Sequence, residues 1–145
     1  MDNLHYYKIN IKWDGGRVGT LSSDSLPQIK VATPPEFAKG VPGIWSPEHL
    51  LVSSVAVCLM TTFLAIAENS SLPFNSFTCE AEGKIEKVDG KWMMSEIELK
   101  PCVEIPDEKY RDKTIRILEK SEKACLISNS VKSTILLNPS IAINA

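Results

Sequence analysis

From Leu50 to Ala67 the chain carries no charged residue, and no other stretch limits its folding options as much. At 18 residues the run sits at the lower edge of what spans a bilayer. However, it contains Ser53, Ser54, Thr61 and Thr62, lacks flanking basic residues and lies mid-chain between polar segments. A helix buried on most sides is the better reading. Such a helix needs a sheet wrapped around it, or a second subunit against it. With 145 residues the chain can bury a core of that kind, so residues 1–145 are expected to form a single domain.

The flanking sequence places the other elements. Tyr7, Ile9, Ile11 and Trp13 alternate with Lys8, Asn10 and Lys12, which predicts a half-buried strand over Tyr6 to Trp13. Asp14-Gly15-Gly16 then forms a turn, Arg17 to Ser22 returns, and Gln28 to Thr33 adds a third short strand. Pro34 to Trp45 holds three prolines and two glycines and reads as a loop. Ser46-Pro47-Glu48 opens the long helix: serine caps free N–H groups, proline suits the first helical position, and a carboxylate complements the dipole. The helix should reach about Asn69. Asn75 to Asp89 and Lys91 to Ile105 read as a hairpin turned at Asp89-Gly90. Asp107 to Lys123 reads as an amphipathic helix, with Tyr110, Thr114, Ile117, Leu118 and Ser121 on one side. Ala124 to Ser130 continues as a turn or short helix, and Lys132 to Ile143 closes as one strand. Strands and helices fall into blocks, so the fold class is α+β with a largely antiparallel sheet.

Charge and cysteine usage narrow the function classes. A net charge of -2 gives no electrostatic basis for nucleic-acid binding. Met1 to Tyr6 does not pair a basic start with an apolar stretch, as a secretory signal would, so a cytoplasmic, reducing location is expected and no membrane attachment. The four cysteines, Cys58, Cys79, Cys102 and Cys125, form no C-x-x-C pair, and with only His5 and His49 beside them no zinc spacing arises. Neither a metal nor another cofactor is expected. Cys79 and Cys102 fall on adjacent strands and read as core or strand positions. His49 reads as a helix-surface or interface residue.

Three stretches together resemble the OsmC/Ohr family of osmotically inducible and organic hydroperoxide resistance proteins. The first is Trp45-Ser46-Pro47-Glu48-His49-Leu50-Leu51 running into Cys58-Leu59-Met60-Thr61. The second is Cys125-Leu126-Ile127-Ser128-Asn129-Ser130, like the family's Cys-x-x-Ser-Asn around its second cysteine. The third is Arg17, just past the first turn. The element order matches as well. The resemblance implies antiparallel sheets around a long central helix and an intertwined homodimer with two sites at its interface. It also implies reduction of organic hydroperoxides, and more weakly of inorganic ones, with electrons from a thiol reductant such as a lipoyl-type dithiol. Cys58 would attack the peroxide and Cys125 would resolve it as a disulfide. Organic-peroxide-specialised members carry proline after the second cysteine, where this chain has Leu126, so subfamily, substrate and reductant stay open.

The chemistry sets requirements for those residues. A thiolate attacks the O–O bond and becomes a sulfenic acid, so the thiol pKa must fall from about 8.5 towards neutrality. Cys58 lies about three turns into its helix, beyond reach of the dipole, and its neighbours Ala56, Val57, Leu59 and Met60 are apolar. A fixed cation is therefore expected, and Arg17 is assigned that role, with Glu48 orienting its guanidinium. Glu48 and Cys58 would be roughly 15 Å apart along one helix and about 80° out of phase. Either Arg17 bridges a long gap, or the pairing crosses between two-fold related subunits. Two other functions compete: a redox-sensing or apolar-ligand-binding module without efficient turnover, and a hotdog-type thioesterase built around a carboxylate.

Overall fold

The computed structural model describes residues 3–144. They form two compact units, one running to Leu50 and the other starting at Leu51.

The first unit is a three-stranded antiparallel meander: β1 (Asn10–Gly15), β2 (Val18–Ser23) and β3 (Leu26–Ala32). Gly15 and Gly16 both take positive φ at the first turn, and Trp13 Nε1 donates to the Gly16 carbonyl at 3.0 Å. The strand predicted from Tyr6 begins only at Asn10. Its partner β2 ends at Ser23 in a tight turn, so residues ahead of Asn10 have no strand to pair with. Its apolar side is also not half-buried as expected: within one chain Trp13 is 75% exposed and Ile11 61%. After β3 the proline-rich loop folds back on the strand. Val41 N–H donates to the Thr33 carbonyl, Ala32 N–H donates to the Trp45 carbonyl, and Val31 bridges Trp45 in parallel.

Ser46 then starts α1 (Pro47–Asn69), whose first turn belongs to this unit. Its hydroxyl oxygen accepts the His49 N–H at 3.1 Å, as an N-cap should, and lies 2.7 Å from His49 Nδ1.

The second unit is built on a long hairpin, β4 (Ser76–Val88) and β5 (Lys91–Ile105). Asp89 and Gly90 both have positive φ, 52° and 78°, the turn whose twist matches a two-residue hairpin. Gly83 on β4 lets the sheet approach the helix, because a Cβ there would overlap Val52 of α1 and the Met94 side chain. Helix α2 (Arg111–Ala124) follows a short 3-10 turn over Glu108–Tyr110. The chain then returns along β5 as β6 (Thr134–Leu137) and β7 (Ser140–Ile143).

Two details differ from expectation here. The closing strand is two strands, split where Pro139 has no N–H to donate. Both run parallel to β5, since α2 serves as the crossover that parallel neighbours require.

The core of this unit explains the uncharged run. Val55, Leu59, Phe63 and Ala67 recur every four residues on α1 and are buried against Ile97, Leu99, Val103 and Ile105 of β5 and Ile117 and Leu118 of α2. Burial stops at that stripe. Val57 is 52% exposed and Leu64 41%, so one chain covers a single face of the helix rather than most of it. By length and composition alone α1 could cross a membrane; its buried stripe instead supplies the core of an α+β domain.

Candidate active site

Cys58 and Cys125 are brought together in the second unit, although 67 positions separate them in sequence. Each owes its place to an element already described. Cys58 sits on α1 beside the buried stripe, next to Leu59, and is half-buried. Cys125 is the residue at which α2 ends. Its backbone leaves the helix at φ −67°, ψ 116°, its N–H is held by the Glu122 carbonyl at 3.2 Å, and its side chain is 0% exposed. From there the chain turns sharply, with Asn129 N–H donating to the Cys125 carbonyl and Ser130 N–H to that of Ile127. The turn therefore presents its first N–H groups to the face of α1 that carries Cys58.

The two thiols are electrostatically unlike. Burial pushes the Cys58 thiol up, but hydrogen bonds from the Cys125 thiol, the Ile127 N–H, the Thr62 hydroxyl and the Leu126 N–H outweigh it, and the Cys58 pKa lies below its ordinary value. Cys125 moves the other way. Burial raises it, its hydrogen bond to Cys58 raises it further, and Ser128 offsets this only in part. The buried Ser128 hydroxyl makes no hydrogen bond of ordinary geometry. Of the two, Cys58 is the thiol that ionises first, and the Cys125 thiol is placed to donate a hydrogen bond to its sulfur. Both cysteines are free.

Arg17 and Glu48, both in the first unit, are not joined by an ion pair within the chain. The Arg17 side chain is exposed, and among the described residues its guanidinium pairs with no carboxylate; its carbonyl accepts the Thr33 N–H. It lines a cavity of about 640 Å³ with Trp13, Val18, Leu21, Pro47 and Leu50. Glu48 Oε1 is buried without a hydrogen-bond partner. A buried carboxylate oxygen left so is costly, and it calls for a donor from outside the hydrogen bonds of this chain.

The remaining cysteines stand apart. Cys79 lies opposite Pro101 and Cys102 opposite Thr78, so on adjacent strands they point to opposite faces, and burial raises the Cys79 thiol. Among the described residues no three His, Cys, Asp or Glu side chains gather as a metal site requires. Sequence reasoning missed the donors around Cys58: the Thr62 hydroxyl and the N–H groups of Leu126 and Ile127. Thr62 was within reach, being one helical turn after Cys58 on the same face. The two backbone donors depend on where α2 stops, which the residue pattern left open.

A paired-thiol site between a central helix and the end of a second helix, on an α+β scaffold, defines a class of protein. The chain belongs to the OsmC-like protein family, whose profile matches residues 40–140. It is 25% identical over 138 residues to the uncharacterized protein YmaD of Bacillus subtilis, covering 92% of this chain and 91% of that one. Its fold is that of an OsmC-like protein of unknown function from Vibrio cholerae, with a TM-score of 0.86 at 20% identity over 94% of this chain and 99% of the other. An organic hydroperoxide resistance protein from Elizabethkingia anophelis, crystallised with thiocyanate bound, matches with a TM-score of 0.77 at 20% identity, over 99% and 100%.

Proposed function

We propose that this chain is a cytoplasmic, metal-free, cysteine-based hydroperoxide reductase acting as a homodimer. The observation that carries the proposal is the contact between Cys58 and Cys125 with opposite pKa shifts, one sulfur set to attack and the other held protonated. The Cys58 thiolate attacks the distal oxygen of R–O–OH, forming Cys58–SOH and releasing RO⁻, which takes a proton to leave as ROH. The Cys125 sulfur then attacks the sulfenic sulfur. A Cys58–Cys125 disulfide forms and water departs with the hydroxyl and the Cys125 proton. A dithiol reductant of the lipoyl type returns two electrons and two protons. Arg17 is assigned to the departing oxygen and Glu48 to orienting Arg17. The Glu48 oxygen and the Arg17 guanidinium, both without a mate among the described residues, support a pairing completed in the dimer. The apolar helix neighbours of Cys58, among them Val57, Leu59 and Met60, favour alkyl over hydrogen peroxide.

The test is dithiothreitol-coupled consumption of cumene hydroperoxide and hydrogen peroxide by wild type, Cys58→Ser and Cys125→Ser. Turnover of the organic peroxide that vanishes in Cys58→Ser is expected. No turnover by wild type with its thiols reduced would replace the enzyme with a redox sensor or ligand-binding module.

A further inference from the structure

Serine and threonine inside helices usually return their hydroxyl proton to a carbonyl one turn back. This chain follows that habit on α2, where Thr114 donates to the Tyr110 carbonyl at 2.7 Å and Ser121 to that of Ile117 at 2.6 Å. On α1 Thr61 donates to the Cys58 carbonyl at 3.2 Å. Thr62 departs from the pattern. Its hydroxyl makes no bond to a carbonyl and instead lies 3.9 Å from Cys58 Sγ, one turn back on the same face. Either atom could donate while the sulfur is protonated; once it is ionised only the hydroxyl can.

We propose that Thr62 is a positioning residue for Cys58, holding the sulfur toward the turn that follows Cys125 and donating a hydrogen bond from its hydroxyl to the thiolate. The inference rests on the peroxidase reading for its purpose, and on the 3.9 Å contact for its content. The groups facing Cys58 are the Cys125 thiol and the N–H groups of Leu126 and Ile127 from the turn, and Thr62 from its own helix; none of these is a charged side chain. Neither of those two N–H groups donates to a backbone carbonyl, so both remain available to the sulfur. A neutral set of donors of this kind stabilises an anion by directed hydrogen bonds rather than by a charge. Thr62 is the one member supplied by a side chain other than the resolving thiol, and so one that a side-chain truncation alone can remove. It counts as positioning rather than catalytic because it acts through Cys58.

The experiment reads Cys58 alone. Iodoacetamide alkylation of the reduced protein is followed across pH by peptide-resolved mass spectrometry, which separates Cys58 from the other cysteines and needs no peroxide. Thr62→Val keeps the shape and removes the hydroxyl; Thr62→Ser keeps the hydroxyl. The expected result is an upward shift of the Cys58 inflection in Thr62→Val, with alkylation at neutral pH slowed about threefold, the effect of about half a pKa unit. Thr62→Ser should stay near wild type. Should Thr62→Val fail to fold, Thr62→Ala provides the same deletion. An unchanged inflection in a folded hydroxyl-free variant would overturn the proposal, as would Thr62→Ser behaving like Thr62→Val. Because alkylation is independent of turnover, a protein without peroxidase activity could still pass this test, and an active peroxidase could still fail it.

Discussion

At the scale of single residues, two sulfurs of one chain differ because one faces donors that outweigh its burial, whereas burial and the first sulfur together raise the other. Alkylation of Cys58 should inflect below the ordinary thiol range near 8.5 and that of Cys125 above it, resolved by peptide mass spectrometry. Cys125→Ser should accumulate Cys58 sulfenic acid, trapped by dimedone after one equivalent of peroxide, whereas wild type should give a disulfide instead. Leu126→Pro offers a finer probe. Proline deletes the N–H that faces Cys58, and Cys125 already holds ψ at 116°, a value the residue before a proline favours. A raised Cys58 inflection with an intact fold is the expected outcome, measured by alkylation and circular dichroism. The cysteines themselves were legible in the residue pattern, because Cys58 and Cys125 come with recognisable neighbours. The donors around Cys58 were not, since two of these are backbone N–H groups without a residue signature.

Among elements, α1 joins both kinds of legibility. Its start was readable from Ser46-Pro47-Glu48, and the N-cap hydrogen bond to His49 N–H bears that out. Ser46→Ala should cost about 1 kcal/mol in denaturant unfolding. Phe63 is fully buried and packs edge-on against Phe74, with centroids 5.3 Å apart, and also against Phe77. Phe63→Ala should cost about 3–5 kcal/mol by the same measurement. The hairpin turn at Asp89-Gly90 was equally plain, because few residue pairs accept two positive φ values in succession. Local pattern failed where pairing partners decide. The start of β1 depends on where β2 ends, and the split of the last strand depends on a proline meeting a ladder position.

For the whole molecule, the apolar surface left open on α1 is the main fact. Val57, Met60 and Leu64 follow helical spacing on a face that the chain does not cover, and β1 leaves Ile11 and Trp13 exposed as well. The uncharged run announced a helix hidden on most sides, and one chain hides a single stripe of it. A sequence does not say whether its own chain or a second copy does the hiding. Sedimentation should find a dimer, and Leu64→Glu should shift it toward monomer while leaving the secondary structure intact. The dimer's thermal midpoint should rise with protein concentration, as mass action requires when folding and association are linked.

On the proposed peroxidase cycle, the unequal exposure of the two sulfurs has a kinetic consequence for regeneration. Cys125 is fully buried and Cys58 only partly, so an incoming thiolate would meet the Cys58 side of the proposed disulfide first. The mixed disulfide then forms on Cys58, and the freed Cys125, still tethered beside it, re-attacks at an effective concentration that a dilute monothiol cannot match. Glutathione would be expelled almost as often as it binds. A dithiol whose second sulfur closes on its own first escapes that return and carries the oxidation away, so dithiothreitol should sustain turnover far better than glutathione at equal thiol concentration.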